Sequence, residues 1–287
     1  MLRSTIKRSP LLAARNAACA NAARPKLIVR DRRFDRTKTT RRWWLNNDPY
    51  ATAIFNSLSI SFPRGEAFFI ESVRAFRDDA PDQLAAQIRA FAGQEVNHSR
   101  EHLAFNRAVS AAGYQLAHLD SVVAEVLAEA RDRPPIANLA ATMALEHFTA
   151  MFAHVLLSDP RQLAGADPEM TALWRWHSTE EIEHKAVAYD TWLHATRDWP
   201  RGKRWRIKAI TMLIASRKFV TLRYRGAIEL LRQDGITGWR AHRGVLRYVW
   251  LSPGPLRKIV PHWLAYFLPG FHPWNRDDSA LIEQASD

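Results

Sequence analysis

Apolar residues recur along this chain at helical spacing, and in four places a carboxylate or imidazole interrupts the apolar seam. In the helix predicted to begin at Pro81, the stripe reads Leu84, Ile88, Phe91, Glu95, His98, His102, Phe105, a strict 4-3-4-3-4-3 progression. That is the face a bundle helix buries. The preceding stretch carries Phe62, Glu66, Phe69, Val73 and Phe76 in the same register. A third stripe runs Leu139, Met143, Glu146, Ala150, Ala153, Leu157, and a fourth Leu173, His177, Glu181, His184, Ala188. No alternating run bounded by turn residues reads as a strand, so the expected fold is all-α.

Helix starts and stops divide the pattern. Asp48-Pro49 opens the first helix, and Pro63 with Gly65 predicts a break or kink just before Glu66. Residues 119–133 form a shorter amphipathic helix, Pro134-Pro135 opens the apolar one, and Asp167-Pro168 opens a fourth long helix stopped by Pro200. The expected division is a basic, flexible tail over 1–40, a four-helix bundle over 41–198 and a helical extension over 199–287 packed on it.

Four inward carboxylates on four helices demand compensation, because unpaired buried charge costs many kcal/mol. Two divalent cations would balance four negative charges. Glu95/His98 and Glu181/His184 are i,i+3 pairs that project from one helix face. One Glu from each of two helices and a Glu-x-x-His from each of two others is the ligand set of ferritin-like dinuclear bundles. Spacings of 29 residues from Glu66 to Glu95 and 35 from Glu146 to Glu181 suit two antiparallel hairpins; the 51 between them leave room for a crossover. The bland alternative is four unrelated solvated or salt-bridged glutamates. His177, four residues before Glu181, adds a third imidazole and favours iron, manganese or zinc over magnesium. Glu180 shares the inward half-face with Glu181, and either could ligate. His102 could ligate or orient a ligand. Tyr189 and Asp190 could join a hydrogen-bond relay, and ordinary packing is favoured for both. Glu180 and Glu183 read rather as residues behind the ligands or in solvent, and His147 and His154 as packing residues; His272, Asp277 and Asp278 are weak site candidates.

At these residues the chain resembles ferritin-like di-iron proteins, and the His177/Glu181/His184 spacing is similar to that of the p-aminobenzoate N-oxygenase family. The segments "RRWWLNNDP", "FPRGEAFFIESVRAF", "QEVNHSREHLAFN", "HSTEEIEHKAVAYD" and "PGFHPW" resemble a bacterial family labelled "predicted metal-dependent hydrolase" over residues 27–278. The resemblance implies metal dependence, with Glu66, Glu95, His98, Glu146, Glu181 and His184 as ligands, joined by His177.

Composition adjusts this picture at the ends. The net charge is +12, yet residues 201–261 alone hold fifteen Lys or Arg against Glu229 and Asp234. This Trp-rich segment reads first as a helical cap with a solvated basic face and second as a peripheral membrane contact. No nucleic-acid motif accompanies the charge. Cys19 is the single cysteine, which excludes an intramolecular disulfide and fits a reducing cytoplasm. Residues 1–30 have the composition of a basic tail or a transit segment. The apolar stretch 139–157 contains Glu146, His147 and His154, so a core helix is expected there rather than a membrane span. The resulting expectation is two iron ions, with manganese or zinc as alternatives. Those ions would activate dioxygen to oxidise an apolar or aromatic small molecule, with an electron donor as partner. The rival readings are hydrolysis by a metal-bound water and a non-enzymatic iron-binding bundle.

Overall fold

Asp48 starts the first long helix by accepting hydrogen bonds from the backbone N–H groups of Tyr50 (2.8 Å) and Ala51 (3.2 Å), with Pro49 in the first turn, where its missing N–H costs nothing. The computed structural model describes residues 25–35, 40–130 and 132–286. In chain order the helices are α1 (Pro49–Arg74), α2 (Asp82–Ala111), α3 (Ala117–Ala128), α4 (Pro135–Ser158) and α5 (Pro168–His184). They are followed by α6 (Val187–Ala195), α7 (Arg201–Gln233), α8 (Gly238–Trp250), α9 (Pro255–Ala265) and α10 (Ser279–Ser286). No strand occurs among the described residues; Leu45 and Ala166 form an isolated bridge. The protein is all-helical, as the periodicity predicts.

α1 packs on α2 and α4, and α5 packs on α2 and α4, so the four helices that bear the expected ligands close a ring. Each carries apolar cluster residues on both sides of its polar positions. On α2 these are Phe105 and Phe91; on α1, Leu58 and Phe69; on α4, Leu156 and Met143. On α5, Leu173 lies to one side, and Val187 follows on α6. The polar positions therefore occupy a layer between two greasy plugs. α4 is long and apolar enough to cross a membrane, but 72% of its apolar window is buried, which makes it a core helix here.

Of the break or kink expected before Glu66, the break does not occur: α1 runs through Pro63 and Gly65. Pro63 cannot donate to the carbonyl of Ser59 one turn earlier. Asn106 Nδ2 of α2 supplies the missing donor at 3.2 Å, so a neighbouring helix satisfies the freed carbonyl. The fourth predicted helix is instead interrupted at Lys185–Ala186, directly after His184. The α3 helix ends at Ala128, short of the expected residue 133.

The basic segment after Pro200 is helical. α7 packs on α1 and α4, and α8 lies on α1 and α7. Gly226 lets α7 approach α1, since a Cβ there would collide with Ser57 Oγ. The tail boundary at residue 40 is too late. Residues 25–35 lie against α2 and α5: Phe34 is buried against Trp176, and Arg30 pairs with Glu180 and Glu183. The expected targeting segment and Cys19 fall largely or wholly outside the described residues.

Candidate metal centre

Glu66 from α1, Glu95 and His98 from α2, Glu146 from α4, and His177, Glu181 and His184 from α5 meet in the polar layer. None of the seven exceeds 3% exposure. The reason is periodicity: positions three or four apart on a helix share a face, and each helix turns that face inward.

The seven divide into two adjacent groups. Glu66, His98 and His177 offer ligand atoms that all lie within 4.8 Å of one another, and so do Glu95, Glu181 and His184. Glu146 joins the second group, its Oε2 lying 3.5 Å from His184 Nε2. Two carboxylates reach both groups. Glu181 turns Oε1 to His177 Nε2 (2.8 Å) and to His98 Nδ1 (3.8 Å), and Oε2 to His184 Nε2 (3.5 Å). Glu95 places Oε1 at 3.2 Å from His184 Nε2 and Oε2 at 3.8 Å from His98 Nδ1. The arrangement is a pair of shared carboxylates with Glu66 at one end and Glu146 at the other.

Hydrogen bonds on the outer side of each imidazole decide which nitrogen faces in. His98 Nε2 donates to Glu180 Oε2 at 3.1 Å, which turns Nδ1 inward. Gln94 Nε2 donates to the Ile28 carbonyl and to Glu183, which fixes the amide and leaves Gln94 Oε1 to accept from His184 Nδ1 at 3.0 Å. His184 Nε2 is then turned toward Glu95, Glu146 and Glu181. For His177 the order comes from three residues in series. Asn106 Nδ2 is committed to the Ser59 carbonyl, so Asn106 Oδ1 accepts from Ser59 Oγ (2.7 Å). Ser59 Oγ accepts in turn from His102 Nδ1 (2.8 Å), and His102 Nε2 accepts from His177 Nδ1 (2.6 Å). The inward nitrogens of the three imidazoles, His98 Nδ1, His177 Nε2 and His184 Nε2, thus all face carboxylate oxygens. Locking the outer nitrogen in this way is how proteins prepare histidine for a metal.

Protein groups alone do not satisfy this interior. Both oxygens of Glu95 and of Glu146, Glu66 Oε1, Glu181 Oε2, His98 Nδ1 and His184 Nε2 are buried without a hydrogen-bond partner. Such atoms are rare in folded proteins, and here they converge on one spot. Burial first, and then the neighbouring carboxylates, push Glu66, Glu95 and Glu146 well above the ordinary carboxyl range. Burial also raises Glu181, but the imidazoles of His184 and His177 outweigh it and hold this carboxyl well below that range. Burial and His98 push the His177 imidazolium down to about 4, which disfavours a proton between His177 and Glu181. A cation resolves every one of these conflicts at once. The donor set, imidazole nitrogen with carboxylate oxygen and no thiolate, fits a pair of iron, manganese or zinc ions.

The family model described as "Predicted metal-dependent hydrolase" matches residues 28–277. The chain belongs to this family. No curated protein and no solved structure matches it. The family description and the two buried His/Glu groups agree on metal dependence.

The structure also sorts the uncertain candidates. Glu180 is turned away from the centre: its Oε2 takes His98, and its Oε1 takes Trp176 Nε1 (3.1 Å) and Arg30. His102 stands behind His177. The Tyr189 hydroxyl donates to the Phe271 carbonyl at 2.6 Å, and Asp190 pairs with His272, so neither joins the layer through those bonds. Asp278 pairs with His154 and Lys185, Asp277 takes the Ser279 N–H, and His147 meets the His262 carbonyl. Gln94, Ser99, Ser59, Asn106 and Arg30 escaped the sequence reading. Ser99 donates to Glu66 Oε2 at 2.8 Å and steers it. Gln94 and Ser99 border the Glu95/His98 pair and could have been suspected from that. Arg30 could not, since 150 residues separate it from Glu180.

Proposed function

We propose that the protein is a metal-dependent enzyme that acts on an apolar small molecule, and that Glu66, Glu95, His98, Glu146, His177, Glu181 and His184 would hold two divalent cations. The observation that carries this reading is the convergence of unpartnered buried carboxylate and imidazole atoms from four helices. Family membership supports hydrolysis as the reaction. A cation pair would supply Lewis-acid activation of a water and of the scissile group. The chain's own share is to fix the ligand imidazoles through Gln94, Glu180 and His102, to hold Glu66 through Ser99, and to keep bulk water out with Phe62 and Phe91, which pack on His177 and His184.

A second reading, oxidation of the substrate with dioxygen at two iron ions and an external electron donor, draws on one feature. The donors are rich in carboxylate and sealed among aromatic rings, an environment suited to oxidising chemistry. The expectation of a peripheral membrane contact through 201–261 draws support from exposed Trp205, Ile210 and Leu213 on basic α7.

One experiment separates the two chemistries. Chelated protein is reloaded with zinc, manganese or ferrous iron under nitrogen and offered carboxylic-ester substrates with apolar acyl groups. Turnover restored by redox-inert zinc without oxygen supports hydrolysis. Oxygen consumption confined to the ferrous form, with no ester turnover, supports the second reading and removes the first.

A further inference from the structure

The same four-helix layer has an apolar cavity against it. About 280 Å³ in volume, it is walled by α1, α3, α4 and α7, and Glu66 is part of its wall. Phe62, Phe69, Leu127, Leu145, Ile214 and Phe219 supply most of the remaining lining. That volume lies at the small end of ligand pockets, which span roughly 300–1,000 Å³ and combine apolar walls with a few placed polar groups. Here the polar groups include three cations besides Glu66 and the hydroxyls of Ser61, Thr149 and Thr211. Arg133, Lys218 and Arg223 line the cavity, and Glu129 is the acid that two of them share: its Oε2 lies 2.7 Å from Lys218 and 3.6 Å from Arg133. Arg223 differs. Its guanidinium donates to the Ser57 carbonyl of α1, and no ion pair to a carboxylate is described for it. Partial burial pushes it down to about 10. Ser57 and Glu66 are nine residues apart on α1, which at the rise of an α-helix is about 13 Å. Arg223 and the candidate metal ligand Glu66 thus line the same apolar slot.

We infer that this cavity, beside the candidate metal centre, is a binding site for a carboxylate-bearing aliphatic amphiphile, with its carboxylate on Arg223 and its apolar chain running toward Glu66. Such binding does not require the metals of the proposed function. A carboxylate supplies the charge that Arg223 lacks, and the apolar body displaces water from the aromatic walls. Lys218 and Arg133, already engaged by Glu129, serve the mouth.

Decanoate and neutral decanol are the probes, titrated calorimetrically into the metal-loaded full chain. Decanoate is expected to bind tighter than decanol by roughly ten- to a hundredfold, the value of one charge-assisted hydrogen bond in a partly desolvated site. Arg223→Gln is expected to erase that preference, whereas Arg223→Lys keeps it and shows that the loss is not one of folding. Ala141→Trp, which fills the cavity from α4, is expected to abolish binding of both probes with metal content unchanged. Orientation is read in manganese-loaded protein, where the terminal methyl protons of decanoate are expected to relax faster than those beside the carboxylate. Equal affinity for the two probes, unaltered binding in Ala141→Trp, or the reverse relaxation gradient would overturn the inference. Protein that binds decanoate as described but takes up no metal would instead remove the proposed function and leave the binding site standing.

Discussion

His102 Nε2 lies 2.6 Å from His177 Nδ1, so one buried imidazole holds another by its outer nitrogen. His102 is itself held by Ser59, and the series ends at Asn106, which also repairs the backbone opened by Pro63. The residue that keeps α1 helical across a proline thus also sets the tautomer of a proposed ligand.

His102→Phe keeps the bulk of the ring and removes that acceptor. The expected outcome is a roughly 10- to 100-fold loss of affinity for one of the two metals, the usual cost of deleting an outer-shell partner. Competition with a chelator of known affinity measures it. Two ions that are released together and unchanged would contradict the assignment.

The shared and terminal carboxylates should behave differently. Glu181→Gln is expected to remove most of both ions, because its two oxygens face different groups. Glu146→Gln is expected to keep close to one. Without metal, Glu146→Gln should be more stable than the parent at neutral pH by about 1–3 kcal/mol, since it deletes a buried acid that has no partner. Elemental analysis and chemical denaturation of the same preparations give both quantities.

Acidity should act in opposite senses on the two forms. Glu66, Glu95 and Glu146 have folded-state acidities raised above the ordinary carboxyl value. Their contribution to the metal-free fold is therefore present at low pH and lost as pH rises through the raised values. Glu181 is shifted the other way, so its contribution fades only below the ordinary carboxyl range. Metal binding needs the carboxylates ionised and strengthens as pH rises. Between about pH 5 and 8 the gap in melting temperature between metal-loaded and chelated protein is expected to widen. Calorimetric scans across that window check it, and a constant or shrinking gap would count against the centre.

Arg30 ties the N-terminal segment to the back of the centre through Glu183 at 2.7 Å and Glu180 at 3.3 Å. Arg30→Ala leaves two buried carboxylates without their cation, at an expected cost of about 2–4 kcal/mol. Freed of Arg30, Glu180 would also hold His98 less firmly, so metal affinity should fall together with stability. Urea unfolding and chelator competition on one variant test both parts.

How far the sequence reveals this molecule depends on the range of the interactions. The inward faces of α1, α2, α4 and α5 are legible because helical periodicity is local, and that alone brought Glu66, Glu95, His98, Glu146, His177, Glu181 and His184 into view. The continuity of α1 was not legible, since the donor that rescues the Ser59 carbonyl belongs to Asn106 on another helix. The break after His184 was equally hidden. Lys185 there is drawn to the Arg276 carbonyl and to Asp278, about ninety residues further on. Glu180 and Glu181 could not be separated by spacing alone; the partners Arg30 and Trp176 claim the first and leave the second to the centre.

The central claim is that the inward carboxylates and imidazoles serve a pair of cations. Its most direct test is the metal content of the protein purified without added metal, by elemental analysis against protein concentration. About two divalent transition-metal ions per chain are expected for the parent, in keeping with the ligand set of dinuclear helical bundles. A metal-free, fully folded chain that takes up no iron, manganese or zinc when they are supplied would contradict it.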